Sequence, residues 1–374
     1  MIKKITIIGR GVIGLASAFE LIQRGVKVQV IGPSKTTGVA SYAAVGISSI
    51  KGLRVARDDF FREKIAGHEG FPGFLRRVSK CSGIEVPIVS GVSEYFKDLN
   101  HYQKINERTY HGEFKGLLKT QIQNSYELNR YRILSTHHGM SHLFGAFYYA
   151  DDLWFHPTTL LEALELAILK LGGKIEEEQV MRIIPYKDKS FKIEGCDRVF
   201  FCDDLVLACG EYTPRLLDNL SKDYFPFLRV SGQTLVATNP TSAKETFRIG
   251  RKALSINGPL LRYGSIDFEK NLIPTEKDLV RGKSKLINEL SEDFSIKVCS
   301  QSSKFLWGTR LALKDRRPII GKVPFLNGRG LWMSCGYHKN GFNLAELAAK
   351  ALADQLLGLQ TNKAKFYSLS RFVQ

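Results

Sequence analysis

A strand, a glycine-rich turn and a helix open the chain, and this order constrains the fold more than any other feature. Residues 3–8 (KKITII) have the pattern of a strand, residues 12–24 that of an amphipathic helix, and residues 26–31 (VKVQVI) that of a second strand. A βαβ unit has parallel strands and a right-handed crossover, which places a nucleotide site at the carboxyl end of the first strand. The sequence therefore predicts an α/β fold with a Rossmann-like domain.

The turn itself, Gly9-Arg10-Gly11-Val12-Ile13-Gly14, matches G-x-G-x-x-G in the strand-to-helix context that the pattern requires. Its glycines permit a tight turn, close approach of a pyrophosphate, and packing of helix on strand, while the helix N-terminus offers free N–H groups. This predicts dinucleotide binding, with a purely structural turn as the alternative. The acidic residue that usually follows the second strand and binds the ribose 2′-hydroxyl is replaced by Gly32-Pro33. The neighbouring Ser34 and Lys35 are both able to donate to the 2′-phosphate of NADP, so NADP remains an alternative ligand.

Composition narrows the class of protein. The 374 residues are 44% hydrophobic and 24% charged, which excludes a disordered or fibrous chain. The net charge is +17, and it lies at the two ends: residues 1–150 carry 21 basic and 11 acidic side chains, and residues 301–374 carry 12 and 3. An acidic ligand or a nucleic acid fits such a charge distribution.

Other functional classes receive little support from the sequence. The six cysteines form no C-x-x-C pair, and HHGMSH at 137–142 has no acidic or cysteine partner nearby, so we predict no metal site. The apolar run 11–19 is too short to span a bilayer. The expected location is the cytoplasm.

Beyond the first helix, the apolar patterning predicts helices at 157–171, near 276–292 and over 16 residues from near Asn343. The patterning along the chain also predicts two domains. We expect residues 1–83, 150–220 and 318–374 to form the dinucleotide-binding domain, which is thus discontinuous. Residues 84–149, which we interpret as irregular and poor in strands, and residues 221–317 are expected to form a second domain with an antiparallel sheet.

Several ordered motifs together resemble the FAD-dependent D-amino acid oxidase superfamily, which includes glycine oxidase, sarcosine oxidase and D-amino acid dehydrogenase. Residues 40–46 (ASYAAVG) are similar to the family's A-S-x-A-A-x-G loop, and residues 154–157 (WFHP), with the helix after them, to its W/V-x-x-P element. Residues 205–217 (LVLACGEYTPRLL) resemble its VLAxGxWSPxLL element. Residues 308–321 and 336–341 (GYHKNG) resemble its closing signature. The resemblance spans nearly the whole chain.

The resemblance implies non-covalent FAD, since we see no cysteine placed for a flavin thioether. The residues expected at the cofactor are Gly9, Gly11, Val12, Ile13, Gly14, Gly32, Pro33, Ala40, Ser41, Val45, Gly46, Ile47, Val180, Cys209, Gly210, Gly336, His338, Lys339, Asn340, Gly341, Phe342 and Asn343.

The resemblance also places Arg310 as the residue that binds the substrate carboxylate, since arginine can pair with it bidentately. Lys339 stands where glycine oxidase-like members carry arginine, and it offers charge without that fork. Tyr263 is a further candidate on a strand of the second domain, with a packed aromatic as the alternative. We assign His338 a structural role beside the flavin, because no protein base is needed once the amine is neutral.

The implied reaction is oxidation of the C–N bond of an amino acid or secondary amine by hydride transfer to the flavin N5, giving an imine that hydrolyses. One rival is removal of a carboxymethyl group from a modified tRNA uridine, because residues 307–321 also resemble the FAD domain of the bifunctional tRNA wobble-uridine modification enzyme. Other rivals are a degenerate flavin-fold binding protein and an NADP-dependent reductase. No oligomeric state is predicted.

Overall fold

The computed structural model describes most of the chain. The described residues are 4–34, 37–49, 59–96, 99–100, 103, 120–122, 145–218, 220, 226–240, 244–250, 252–323, 330–359 and 367–372.

Helices and strands alternate through the first part of the chain, and strands dominate the centre. The helices are α1 (Val12–Gln23), α2 (Asp59–Ser82), α3 (Pro157–Lys170), α4 (Thr213–Asp218), α5 (Glu276–Phe294) and α6 (Ala345–Leu356). The strands are β1 (Lys4–Ile8), β2 (Lys27–Ile31), β3 (Gly38–Val39), β4 (Ile47–Ser48), β5 (Ile88–Phe96), β6 (Thr120–Ile122), β7 (Gly145–Phe155), β8 (Lys174–Glu176), β9 (Val180–Pro185), β10 (Phe191–Gly195), β11 (Val199–Cys202), β12 (Asp204–Leu207), β13 (Phe227–Thr238), β14 (Glu245–Ile249), β15 (Lys252–Ile256), β16 (Leu260–Asp267), β17 (Lys304–Leu313), β18 (Ile319–Lys322) and β19 (Gly330–Cys335).

A six-stranded sheet in the order β18-β19-β12-β1-β2-β8 forms the first layer. All its pairs are parallel except the edge pair of β18 and β19. The continuous apolar runs of β1 and β12 are buried on both faces, as expected for central parallel strands. Helices α1, α2, α3 and α6 cover one face, and a three-stranded sheet of β9, β10 and β11 with α4 covers the other.

The second sheet is larger and mostly antiparallel. Its strand order is β3-β17-β13-β16-β15-β14-β5-β7-β4, with β6 paired to β7. Helix α5 packs on one face and closes a separate apolar core with Leu286, Leu290 and Phe294. A capping box at Thr275 and Asp278 fixes the start of this helix. The expected α/β architecture with a second, antiparallel sheet is confirmed.

The structure departs from the expected segment boundaries in three places. Strands β3 and β4 lie inside residues 1–83 yet pair with strands of the second sheet. Strand β7 continues across the boundary at residues 149 and 150. The expectation that residues 84–149 are poor in strands was wrong for β5, whose inner residues are buried on both faces and so lack the alternation that marks a half-exposed strand.

The predicted helices at 12–24, 157–171 and 276–292 form with ends shifted by one or two residues. Helix α6 begins at Ala345 and has 12 residues, whereas the sequence predicted 16 residues from Asn343. The turn before it stays non-helical because Asn343 uses its side chain on other segments. Among the described residues, no helix combines the length and apolar character that crossing a bilayer requires.

Candidate active site

A cavity of about 370 Å³ lies between the two sheets, beside the N-terminus of α1. More than half of the predicted site residues line it. These are Val12, Ala40, Ser41, Val45, Gly46, Ile47, Arg310, His338, Lys339, Asn340, Gly341, Phe342 and Asn343. Four stretches that are far apart in sequence therefore meet at one place.

The glycines of the turn lie where backbone segments approach most closely, as the motif predicts. Gly9 has φ +124°, and a Cβ there would lie 2.4 Å from the carbonyl oxygen of Ala208. A Cβ on Gly14 would lie 2.0 Å from the carbonyl oxygen of Gly9. The Val12 N–H donates to Ser41 Oγ at 3.1 Å, and the first turn of α1 holds no acidic side chain. The helix N-terminus is therefore electropositive and suited to a phosphate.

The remaining predicted cofactor residues lie outside the cavity lining. Gly11 caps α1, and Ile13 lies in its first turn, half-buried. The others follow the strands of the first sheet at their carboxyl edge or stand at the start of β9. They are Gly32, Pro33, Val180, Cys209, Gly210 and Gly336. This edge is where open α/β sheets bind their ligands.

Arg10 occupies the space beside Gly32, where the usual acid is missing. A Cβ on Gly32 would lie 3.1 Å from Arg10 Cγ. The Arg10 guanidinium pairs with both carboxylate oxygens of Glu165 on α3, each at 3.0 Å. The main chain of Gly32 is tied to the segment after β8 by its bonds with Glu176 and Glu178. The carboxyl end of β2 is thus held by neighbouring segments, with no acid of its own.

Arg262 on β16 holds the loop at 40–47 from the opposite sheet. Its Nη1 donates to the carbonyls of Tyr42 (3.3 Å) and Ala44 (2.9 Å), and its Nη2 donates to Thr158 Oγ1 (2.9 Å). Thr234 Oγ1 donates to the carbonyl of Ala43 at 2.6 Å. Burial lowers the pKa of Arg262 to about 10. No motif marks this residue, because its partners lie more than one hundred positions away.

Two close backbone contacts complete this loop. Gly46 has φ +92°, and a Cβ there would lie 2.2 Å from the carbonyl of Phe155. A Cβ on Gly308 of β17 would lie 2.6 Å from the backbone nitrogen of Ala40. Only glycine allows these approaches, so strands β7 and β17 of the second sheet fix the loop.

The turn at 338–343 forms the other wall. His338 has φ +51°, and its N–H donates to the carbonyl of Leu311 at 2.9 Å. Burial, followed by the charges of Arg310 and Lys339, lowers the pKa of His338 to about 4, so its ring is neutral at neutral pH. Asn343 accepts from Ser48 Oγ at 2.7 Å and donates to the carbonyl of Lys64 at 3.0 Å.

Arg310 and Lys339 lie close together, and Asp267 at the end of β16 lies between them. Arg310 Nη2 pairs with Asp267 Oδ1, and Lys339 Nζ lies 3.4 Å from Asp267 Oδ2. Burial would raise the pKa of Asp267, but the two cations outweigh it and lower that pKa below its usual value. The Arg310 side chain is 14% exposed. Asp267 was missed, since nothing in its sequence neighbourhood marks it as their counter-ion.

Tyr263 lies elsewhere, contrary to expectation. Its side chain is fully buried in the core under α5, where its hydroxyl donates to Asp293 Oδ2 at 3.0 Å and its ring meets Phe294 edge-on. Side chains alternate along a strand, so its neighbours Arg262 and Gly264 face the cavity side. The packed aromatic is the interpretation that agrees with the structure.

Sequence reasoning missed two further basic residues that line the cavity. Arg248 on β14 donates to Ser49 Oγ at 2.8 Å and lies 3.5 Å from Asp152 Oδ2. Lys252 on β15 pairs with Glu289 of α5. A weak signal existed in the basic residues of 248–252 (Arg248, Arg251 and Lys252), but only the sheet order shows which of them face the cavity.

Two structural features define the class of protein: a dinucleotide-binding sheet whose helix N-terminus opens into the cavity, and an antiparallel sheet that covers that cavity with arginine and lysine. Comparison with known proteins identifies the class further. A family profile for FAD dependent oxidoreductases (DAO) matches residues 4–355. The chain belongs to this family, and FAD is its cofactor. Among the described residues, no group of three or more metal-binding side chains occurs, and residues 137–142 lie outside them.

Individual relatives are distant but match over nearly the whole chain. Glycine oxidase from Pseudomonas putida is 24% identical over 382 residues, covering 96% of each chain. The bifunctional protein ThiO/ThiG from a Synechocystis species is 23% identical over 372 residues, and the chain spans about half (51%) of that protein's length. The structure of glycine oxidase from Geobacillus kaustophilus has a TM-score of 0.82 at 18% identity and full coverage of both chains. Iminodiacetate oxidase from Chelativorans sp. BNC1 has a TM-score of 0.80 at 16% identity, covering 97% and 98%.

The residues present fit FAD. The α1 N-terminus meets the cavity with no acid in its first turn, and Gly9, Gly14 and Gly308 leave no room for a side chain at the points of closest backbone approach.

Proposed function

We propose that this protein oxidises the C–N bond of a small amino acid or N-substituted amino acid. The observation that carries the proposal is the cationic pair of Arg310 and Lys339 at one wall of the cavity that opens on the α1 N-terminus. A carboxylate is the group that such a pair recognises best. The names of the relatives, glycine oxidase and iminodiacetate oxidase, support the same chemistry.

The cofactor would be held by groups at the edge of the first sheet and in the loop at 40–47. The N–H groups at the start of α1 would bind its pyrophosphate, with Ser41 and Gly11 beside them. The segment at 338–343 would contact the ring system, where His338 and Lys339 add donors. When bound, FAD supplies the acceptor for the hydride that leaves the carbon next to the amine nitrogen.

The substrate would be oriented by charge at its carboxylate. In the structure Arg310 rests on Asp267, so the arriving carboxylate would share or replace that contact. Among the described residues that line the cavity, every charged side chain is basic, and so none of them serves as a carboxylate base. The amine would therefore lose its proton to solvent before the hydride leaves. The imine that results takes up water and gives an oxo acid with ammonia or an amine.

The test is a panel of amino acids and secondary amines added to the FAD-loaded protein without oxygen, followed by loss of the flavin absorbance near 450 nm. This readout is independent of the electron acceptor. We expect glycine-like amino acids to bleach the flavin and the matching amines without a carboxylate to fail. Arg310→Met should require at least about tenfold more amino acid for half-maximal bleaching. Equal bleaching by amines with and without a carboxylate would overturn the proposal.

The tRNA substrate considered from the sequence stays a prediction. The sequence has a basic stretch from Lys51 to Lys80, which would be available to bind phosphates. Within it, Arg77 pairs with Glu346 of α6, and residues 50–58 lie outside the described residues. Addition of tRNA at low salt to the bleaching assay tests it, because phosphate contacts weaken steeply as salt rises.

A further inference from the structure

The cavity has a second basic locus besides the pair of Arg310 and Lys339. Arg248 on β14 and Lys252 on β15 line the same cavity at the side near Ser49 and Gly250. Their side chains are 13% and 21% exposed, so both charges are largely withdrawn from bulk water. A partly dry cavity strengthens the attraction between such cations and an anion.

The counter-ions of this second locus do not line the cavity. Asp152 is 1% exposed and lies 3.5 Å from Arg248, a long ion pair, while the short contact of Arg248 is to the neutral Ser49 Oγ. Glu289 reaches Lys252 from helix α5. Arg248 is aligned with Ala253 and presents its positive charge to the cavity. Lys252 is aligned with the core residue Ile249 and directs its charge to Glu289 on the α5 face, so Arg248 supplies the charge of this locus.

A row of small residues connects this locus with the rest of the cavity. Across the sheet, Arg248 is aligned with Ala253, Ala253 with Gly264, and Gly264 with Thr234. Ala253, Gly264 and Thr234 all line the cavity. Because their side chains are short, the surface between Arg248 and β13 is a trough that an extended chain can occupy.

The two loci are too far apart for one small carboxylate. Arg310 lies on β17, four strand spacings from β14, and four residues along β17 from Leu306, which stands in the row of Arg248. The two Cα positions are therefore about 23 Å apart on a flat sheet. Twist of the sheet and the length of both side chains shorten this gap but do not close it. A ligand that engages both loci therefore needs two anionic groups separated by several bonds.

We infer that the substrate is an amino acid with a second anionic group at the far end of its side chain or N-substituent, and that Arg248 binds this group. The inference deepens the proposed function and rests on it for the position of the first carboxylate. Carboxylate and phosphate satisfy the same donors, so the shared requirement is a terminal anion.

Binding of unreactive acids tests the second locus without turnover. The FAD-loaded protein is titrated with dicarboxylates of increasing length, from malonate to pimelate, and with monocarboxylates of the same lengths, while the flavin spectrum is followed. We expect the best dicarboxylate to bind at least about tenfold more tightly than its monocarboxylate, with an optimum at the longer lengths. Arg248→Met should reduce that preference, and Arg248→Lys should restore part of it. Phosphonate analogues of the best acid show which anion fits better.

A matched control is Lys270→Met, since Lys270 is an exposed cation in the turn after β16 and outside the cavity lining. It should leave the preference unchanged. Equal binding of dicarboxylates and monocarboxylates at every length would overturn the inference, even if glycine-like substrates still bleach the flavin. The inference also fails if Arg248→Met weakens FAD itself while sparing the dicarboxylate preference, because the locus then serves the cofactor.

Discussion

Acidification should destabilise this protein over a window set by His338. The residue lies in the turn after β19, next to Arg310 and Lys339. Burial and these two charges lower the pKa of its ring from 6.5 to about 4. Above pH 6.5 the ring is neutral whether the chain is folded or unfolded, so it contributes no pH dependence there. Below pH 6.5 the unfolded chain binds a proton at this ring that the folded chain does not bind, so the free energy of unfolding falls.

The size of the effect follows from the pKa difference. Each unit of difference is worth about 1.4 kcal/mol, so the free energy of unfolding should fall by up to about 3 kcal/mol between pH 6.5 and 4. The loss should be complete near pH 4, because both states are protonated below it. His156, whose pKa burial and Arg262 also lower to about 4, adds a smaller loss in the same window because its ring is more exposed. Asp267 acts at lower pH, because its stabilising contribution disappears as the pH falls below 3.8.

Urea unfolding of the FAD-loaded protein at intervals from pH 4.5 to 7.5, in excess FAD, measures this slope. The comparison is His338→Asn, since asparagine adopts the left-handed backbone that φ +51° requires and does not titrate. The variant is expected to be less stable at pH 7 because it loses packing, but its stability should fall less between pH 6.5 and 4.5. Parallel pH profiles for the two proteins would refute the assignment of the loss to His338.

Three further outcomes follow from the glycines and cysteines. Gly308→Ala should lower the free energy of unfolding by about 1–3 kcal/mol in urea titrations, because its Cβ would lie 2.6 Å from the nitrogen of Ala40. Gly341→Ala should leave apoprotein stability within about 0.5 kcal/mol, since its Cβ meets nothing closer than 3.8 Å, but should weaken FAD binding followed by flavin fluorescence, because it lines the cavity. Cys299 should react with iodoacetamide before Cys202, as followed by mass spectrometry. Hydrogen bonds from Ser302 and Gln301 lower the pKa of Cys299, while burial raises the pKa of Cys202 to about 12. Faster labelling of Cys202 would contradict this prediction.

Features that depend on neighbours in the sequence could be predicted. The βαβ unit at the start needs only the apolar runs, the glycine spacing and a helix of 12 residues, all of which are local. Helix α3 likewise carries its own signals: His156 accepts from the Thr159 N–H, and proline stands in the first turn. These patterns report structure because the forces that shape them act within one or two turns of chain.

Features that depend on strand order could not be predicted. Arg248 is significant because it faces a cavity whose opposite wall belongs to residues 338–343, far along the chain. Asp267 became part of the site through two ion pairs with residues 43 and 72 positions away. Side-chain pairs of this kind produce no periodic pattern in the sequence. In a single sequence, periodic patterns and local motifs are the only signals from which a contact is predicted.

Strand β16 shows how one residue of register decides between core and site. Tyr263 and Arg262 are neighbours, both long and both plausible in a substrate pocket, but successive side chains point to opposite faces of a sheet. The apolar face must meet α5, so Tyr263 goes to the core, and Arg262 is forced towards the loop at 40–47. That loop belongs to the first domain by sequence, yet it is held by β16 and β17 of the second sheet. The residues proposed to bind cofactor and substrate are therefore fixed by one shared contact surface. A division of the chain into a cofactor domain and a substrate domain describes the sheets better than it describes the site.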